Sequence, residues 1–172
     1  MSRTDCTVDR SLLSLFRENL QAIGVESTTV SSAEVEAELE SRLEHPTVAS
    51  PLGDGIELPE NVSLEPTMDE LKAAKTGLTR ARLGVASLGS IVVPSGPELD
   101  GPVSLYPPKH VAMLAADDIV PDIATALEKL SKTFENGEND VVFVTGPSST
   151  GDMGELVVGV HGPGEMEVVI VE

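Results

Sequence analysis

Cysteine is all but absent. Cys6 is the one cysteine among 172 residues, so no disulfide closes within the chain. One thiol is also too little sulfur for an iron–sulfur cluster or a structural zinc. No apolar run reaches the roughly 18 residues that a membrane-crossing helix needs, so membrane insertion is not expected. The opening residues, MSRTDCTVDRSLLSLF, lack the apolar core and cleavage site of a signal peptide, and a cytoplasmic location is expected. Cations are scarce as well: Lys+Arg number 11 against 29 Asp+Glu, a net charge of −18. Such a surface repels nucleic acid and anionic membranes. The acids run through the whole chain, as in AEVEAELESRLE (33–44), and form no tail. An acidic protein of this kind fits a halophilic source, whose salt screens self-repulsion; ordinary acidic solubility is the alternative.

Several chemistries lack their signature. There is no G-x-x-x-x-G-K-[ST] phosphate loop, no G-x-G-x-x-G after a strand, no G-x-S-x-G and no Ser-x-x-Lys. The three histidines, His45, His110 and His161, show no metal-ligand spacing, so no metal is expected. No cofactor is supported either.

What is present reads as one domain of 40% hydrophobic composition, long enough to bury a core. SLLSLFRENLQAIG has the spacing of an amphipathic helix ending at Gly24. VESTTV reads as a short strand. Ser31 and Glu34 predict a capping box opening a second helix that Pro46 stops. Residues 46–66, punctuated by four prolines and by glycines, read as loop with short edge strands. Thr67 and Glu70 predict a second capping box before MDELKAAK. From Thr79 strands dominate: two around the SLGS turn, HVAML, VVFV, GELVVGV and EMEVVIV. A helix, IVPDIATALEKLSKTF, follows Asp117 and Asp118 with Pro121 in its first turn. A helix-rich part to about residue 75 thus precedes a strand-rich part over about 76–172. The fold class is α/β, layered, with a mostly parallel sheet flanked by helices. HVAML and VVFV suit strands covered on both faces.

Two loops hold the suggestive side chains. In TGPSSTGD, Thr145, Gly146, Ser148, Thr150 and Asp152 follow a strand, and backbone N–H groups there could cradle an anion. The alternative is a tight turn whose hydroxyls serve the local backbone. In GVHGP, His161 has the side chain best suited to acid–base work near neutrality, or it pins its own loop. Lys109 and His110 in PPKH are further candidates, with His110 at the start of a buried strand. Lys72, Lys75, Arg80 and Arg82 gather four cations in a short stretch, either to receive a carboxylate or phosphate or to pair with acids such as Asp69 and Glu70.

Four stretches in order, TGLTRARLGVASLGSIVV (76–93), SLYPPKHVAMLAADDIVPDIATAL (104–127), VTGPSSTGDMGE (144–155) and VVGVHGPGEMEVVIV (157–171), resemble the LUD domain family in its lactate utilization protein C type. The resemblance implies a fold of the NagB/RpiA/CoA-transferase-like group. It also implies a part in oxidising L-lactate to pyruvate beside iron–sulfur partner proteins, as an accessory or regulatory component that binds a small anion or docks to redox partners. A transferase- or isomerase-type enzyme using His161 or Asp152 is the alternative, and a structural interaction module the third. A homo-oligomer stays open. The chain departs from the family pattern at Ser87 and Leu88, where the family has Glu-Thr, and at Gly151, Met153 and Gly154, the last replacing an acid.

Overall fold

The structure, a computed structural model, describes residues 10–53, 55–96, 100–135, 140–152 and 155–172, without the side chains of Asp100, Asp152, Glu155 and Leu156. Cys6, Met153 and Gly154 therefore lie outside the described residues.

The chain runs α1 (Arg10–Ala22), β1 (Glu26–Val30), α2 (Val35–Arg42), β2 (Thr47–Ala49), β3 (Val62–Ser63), α3 (Met68–Ala73), β4 (Thr76–Arg80), β5 (Leu83–Val85), β6 (Ser90–Pro94), α4 (Asp100–Leu105), β7 (Lys109–Ala115), β8 (Ile119–Val120), α5 (Ile123–Phe134), β9 (Val141–Val144), β10 (Ser149–Asp152), β11 (Glu155–Val158) and β12 (Glu165–Val171). Six strands form a parallel sheet in the order β1-β12-β7-β4-β2-β3, with helices on its faces. Four more form a second sheet, β8-β5-β6-β9, and β10 pairs β11 as a hairpin.

Alternation along the strands sorts the parallel sheet into two faces. Ala49, Leu78, Val111, Met113 and Val169 pack with Val35 and Leu39 of α2. Ala112, Leu114, Met166, Val168 and Ile170 turn the other way, onto Phe16 and Leu20 of α1 and onto Ala86, Ile91 and Val93 of the second sheet. The outer face of that second sheet is covered by Ala126 and Leu130 of α5. From one side to the other these are α2, the parallel sheet, the second sheet and α5, with Phe16 and Leu20 of α1 in the core that the two sheets share. The two sheets approach closely at Gly84, where a Cβ would stand 2.7 Å from Leu114 Cδ2 and 3.0 Å from Phe16 Cζ.

Local rules account for most boundaries. Thr67 and Glu70 form a complete capping box, Glu70 N–H to Thr67 Oγ1 at 3.3 Å and Thr67 N–H to Glu70 Oε2 at 2.8 Å. The Ser31–Glu34 box is only half built. Glu34 accepts from the Ser31 N–H (3.2 Å) and hydroxyl (2.6 Å), but the Glu34 N–H goes to the Ser31 carbonyl. A turn intervenes, and the helix starts at Val35. The helix expected from Ile119 starts at Ile123 instead. Asp122 caps it by accepting from Thr125 N–H at 2.8 Å, while Ile119 and Val120 pair with Gly84 and Val85 in the second sheet. Pro121 thus precedes the helix. VVFV is corrected too: β9 pairs only with β6 among the described residues, and all four of its residues are half-buried, not covered on both faces.

Candidate functional site

The four motif stretches meet. Ser90, closing ASLGS, shares a 2.7 Å hydroxyl–hydroxyl hydrogen bond with Thr145. Gly146 turns the chain at φ 78, close enough to α1 that a Cβ would lie 3.1 Å from the Ile23 carbonyl oxygen. Ser148 N–H donates to the Pro163 carbonyl (2.8 Å), and the Ser148 carbonyl accepts from Gly159 N–H (2.8 Å). The Pro108 carbonyl accepts from Gly164 N–H (2.9 Å) and Glu165 N–H (3.3 Å). TGPSS and GVHGP are thus one unit, tied to PPKH on one side and ASLGS on the other. Gly162 is part of the fit, since a Cβ there would sit 3.0 Å from Ser148 Cβ.

This junction lies at the amino ends of β7 and β12, which PPKH and GVHGP feed. The carboxyl-end rule for open parallel sheets therefore gives TGPSSTGD no support. The strand before it, β9, is an antiparallel edge strand of the second sheet. Nor is TGPSSTGD a turn throughout: Ser149–Asp152 is β10, with Thr150 opposite Val157 and Asp152 opposite Glu155. The Ser148 N–H is spent on Pro163 and is withdrawn from any anion. His161 is exposed on its loop and has no hydrogen-bond partner among the described residues. The side chain of Asp152 is outside the described residues.

Lys109 and His110 are neighbours on β7 and so face opposite ways. Lys109 turns toward α2. Its Nζ contacts Glu165 Oε1 at 2.9 Å and Glu167 Oε1 at 2.6 Å. Burial pushes its pKa down, but the hydrogen bonds and charges of Glu167 and Glu165 outweigh that, so its pKa is raised. Glu167 also pairs with the Arg42 guanidinium, which reaches Glu38 at 2.6 Å and Thr28 Oγ1 at 2.6 Å. Lys109 is thus matched by two carboxylates. Glu167 and Arg42 escape motif reasoning, yet one signal was available: an acid on the inward-facing register of EMEVVIV, in step with Val169.

His110 turns to the other face and is 1% exposed. Its Nε2 lies 2.9 Å from Thr79 Oγ1, and Nδ1 has no partner among the described residues. Burial pushes its pKa down to about 4. The unfolded chain binds a proton near pH 6.5 and the folded one does not, so stability is full above 6.5 and falls as pH drops toward 4. That loss should reach about 3 kcal/mol. Urea unfolding across pH 7 to 4 should show the slope in the wild type and a flattened one in His110→Gln; equal slopes would refute this account.

The remaining candidates disperse. Ser87 and Leu88, at the family's Glu-Thr position, are exposed on a 3₁₀ turn, and the Ser87 N–H donates to the Pro121 carbonyl at 3.0 Å. Lys72 and Lys75 flank the end of α3, exposed, while Arg80 lies at the far end of β4. Glu70, offered as their partner, is engaged with Thr67. Among the described residues no group of three or more His, Cys, Asp or Glu is placed to hold a metal ion. No described helix is long and apolar enough to cross a membrane.

The chain is similar to several known proteins. Lactate utilization protein C of Bacillus subtilis is 30% identical over 111 residues, 62% of this chain and 46% of that protein. Its counterpart in Halalkalibacterium halodurans is 30% identical over 121 residues, 68% and 53% of the two chains. The chain thus spans about half the length of these curated relatives. The crystal structure of a DUF162 family protein from Deinococcus radiodurans has the same fold, with a TM-score of 0.77 at 22% identity over 94% of this chain and 97% of that one. The sequence model of the LUD domain matches residues 12–171, nearly the whole of what has been described, and the chain belongs to the LUD domain family.

Proposed function

We propose that this protein serves lactate utilization in the cytoplasm, as an accessory or regulatory LUD-domain component acting beside iron–sulfur partner proteins in the oxidation of L-lactate to pyruvate. The observation behind this is the junction of ASLGS, PPKH, TGPSS and GVHGP. Stretches distant in sequence, 55 residues apart from Ser90 Oγ to Thr145 and joined also from Ser148 to Pro163, are held together by hydrogen bonds, and they are the stretches through which the chain resembles its lactate utilization relatives. A fixed loop assembly on rigid strands is what a binding or docking surface requires. His161, exposed on that assembly, and Thr150, half-buried in the adjoining hairpin, are the groups offered to a small anion or a partner. Lys109 is the weaker element of that set, because its charge is already balanced by Glu165 and Glu167.

Deleting the gene should abolish or sharply slow growth on L-lactate as sole carbon source and leave growth on pyruvate unchanged. Plasmid-borne wild type should restore it. Equal growth of the deletion strain on both carbon sources would refute the assignment.

A further inference from the structure

β9 closes the second sheet on one side, in the order β8-β5-β6-β9. One edge of the strand is paired with β6. Val141 and Phe143 pack against the core around Val92 and Leu130 on the α5 side. Val144 packs against the core on the α1 side. Both faces of β9 thus rest on core, and its half-exposure lies along the second edge, where no strand pairs with it among the described residues.

An open strand edge invites another strand, and proteins blunt such edges by shortness, charge or proline. The other outer strands of the two sheets follow this rule. β3 and β8 are two residues long, and β8 runs directly into Pro121. β1, ESTTV, is polar and begins at the exposed Glu26. β9 has none of these devices: VVFV carries no charge, proline or glycine.

The phase of the β6–β9 ladder defines what the open edge presents. In an antiparallel ladder successive residues turn their N–H and C=O alternately to one neighbour and to the other. The Asp140 carbonyl accepts from Ser95 N–H at 3.0 Å, one step beyond Pro94 opposite Val141. Val142 and Val144 share the phase of Asp140 and serve β6. Val141 and Phe143 therefore turn their backbone groups outward. Pro94, which has no N–H to give, stands opposite an outward-turned residue, as this phase requires.

Charge selects the occupant. No residue from Val141 to Gly151 is charged, in a chain with 29 acids and a net charge of −18. A basic partner is drawn to the acidic surface and away from such a strip. A body as acidic as this chain can approach only where acid is absent.

We propose that two copies of this chain join β9 to β9, antiparallel about a twofold axis, so that the second sheets of both run on as one. With Val141 and Phe143 outward, the pairing contained within the strand is centred on Val142. Val141 of each copy exchanges hydrogen bonds with Phe143 of the other, and Val142 faces Val142. Such a contact uses the same patch on both copies and closes at two. Asp140 falls opposite Val144, which keeps the two acids at opposite ends of the paired strands. About four main-chain hydrogen bonds and a short apolar strip make a small interface, so the dimer depends on concentration. The pairing does not rest on a role in lactate oxidation, and the growth experiment and the one below fail independently.

The full chain is followed by sedimentation over a wide range of concentration, at low and high salt, with amide hydrogen exchange read on the same samples. The mass should rise from one copy to two and stop there. Salt should strengthen association, because it screens the repulsion between two bodies of like charge. The Val141 and Phe143 amides should be protected only where the dimer is populated, and those of Val142 and Val144 at every concentration. Val141→Pro removes an outward N–H and no hydrogen bond to β6, and should weaken association by about tenfold or more. Val141→Glu adds like charge beside the axis and should weaken it too, which serves if the proline variant fails to fold. A single copy under all conditions, growth beyond two copies, association weakened by salt, or association untouched in a folded variant overturns the proposal. So does protection of Val141 and Phe143 in the monomer, which would mean that the chain closes this edge with its own residues.

Discussion

Replacing Gly77 with alanine should cost the fold about 3 kcal/mol or more. Gly77 lies within β4, between β2 and β7, in register with Val48 and His110. A Cβ there would stand 1.9 Å from the Val103 carbonyl oxygen, 3.0 Å from its carbon and 3.1 Å from Pro107 Cγ. The first two atoms are backbone, so no rotamer change relieves the contact and α4 must retreat as a unit. That retreat would uncover Val103, which is fully buried with Val48, Leu71 and Ala74. A glycine inside a strand marks such close backbone approach. The comparison is Gly96→Ala, where a Cβ meets nothing within 4 Å among the described residues, and which should change stability by no more than about 0.5 kcal/mol. Denaturant midpoints of the two variants measure the difference; similar midpoints would mean that α4 does not press on the sheet as described.

The second large effect concerns Glu167. It is 7% exposed and holds Lys109 on one side and Arg42 on the other. Glu167→Ala leaves Lys109 with Glu165 alone and Arg42 with Glu38 alone, removes the charged hydrogen bonds between them, and should cost about 2 kcal/mol near neutral pH. Glu167→Leu with Lys109→Met should recover much of that loss, because apolar replacement of a shielded pair is often neutral. The pH dependence separates charge from packing. Burial, the largest influence, raises the Glu167 pKa, but the hydrogen bonds and charges of Lys109 and Arg42 together bring it below its ordinary 4.5. A carboxylate with a depressed folded pKa stabilises above its unfolded value and stops doing so as pH falls through the folded one. Wild type and Glu167→Ala should therefore converge in stability below pH 4.5. A gap as wide in acid as at pH 7 would assign the loss to packing.

Much of this architecture was legible in the residues. α1, α3, β7 and β12 follow from periodicity and from one complete capping box. The misjudged boundaries share a cause, which is that a strong local signal lost to a tertiary one. Ser31–Glu34 is a fair capping box, yet Ser32 N–H is taken by the Glu172 carbonyl at 3.2 Å, and the chain makes a turn first. Ile119 and Val120 look helical before Pro121, yet β5 supplies them with a parallel partner. VVFV is apolar enough for a central strand but lies at an edge of the second sheet, a layer that composition could not separate from the first. At the junction, the motifs identified which loops matter, while their mutual hydrogen bonds depend on packing between segments distant in sequence. Lys109 and His110 illustrate the limit most clearly. Adjacent in sequence, each is a candidate in PPKH, whereas strand alternation divides them between two faces of the sheet.

The position of β12 has a consequence for how the molecule comes into being. Its residues, Glu165–Val171, are translated well after those of β1, yet they sit inside the parallel sheet, between β1 and β7. β1 pairs with no strand but β12 among the described residues, so it waits with its hydrogen-bonding edge unmet until β12 has been made. Domains generally fold as units as they emerge, but here an edge strand is held in reserve until the later strand that joins it to the sheet has emerged. The interval before residue 171 appears is the one in which the nascent chain is most in need of protection.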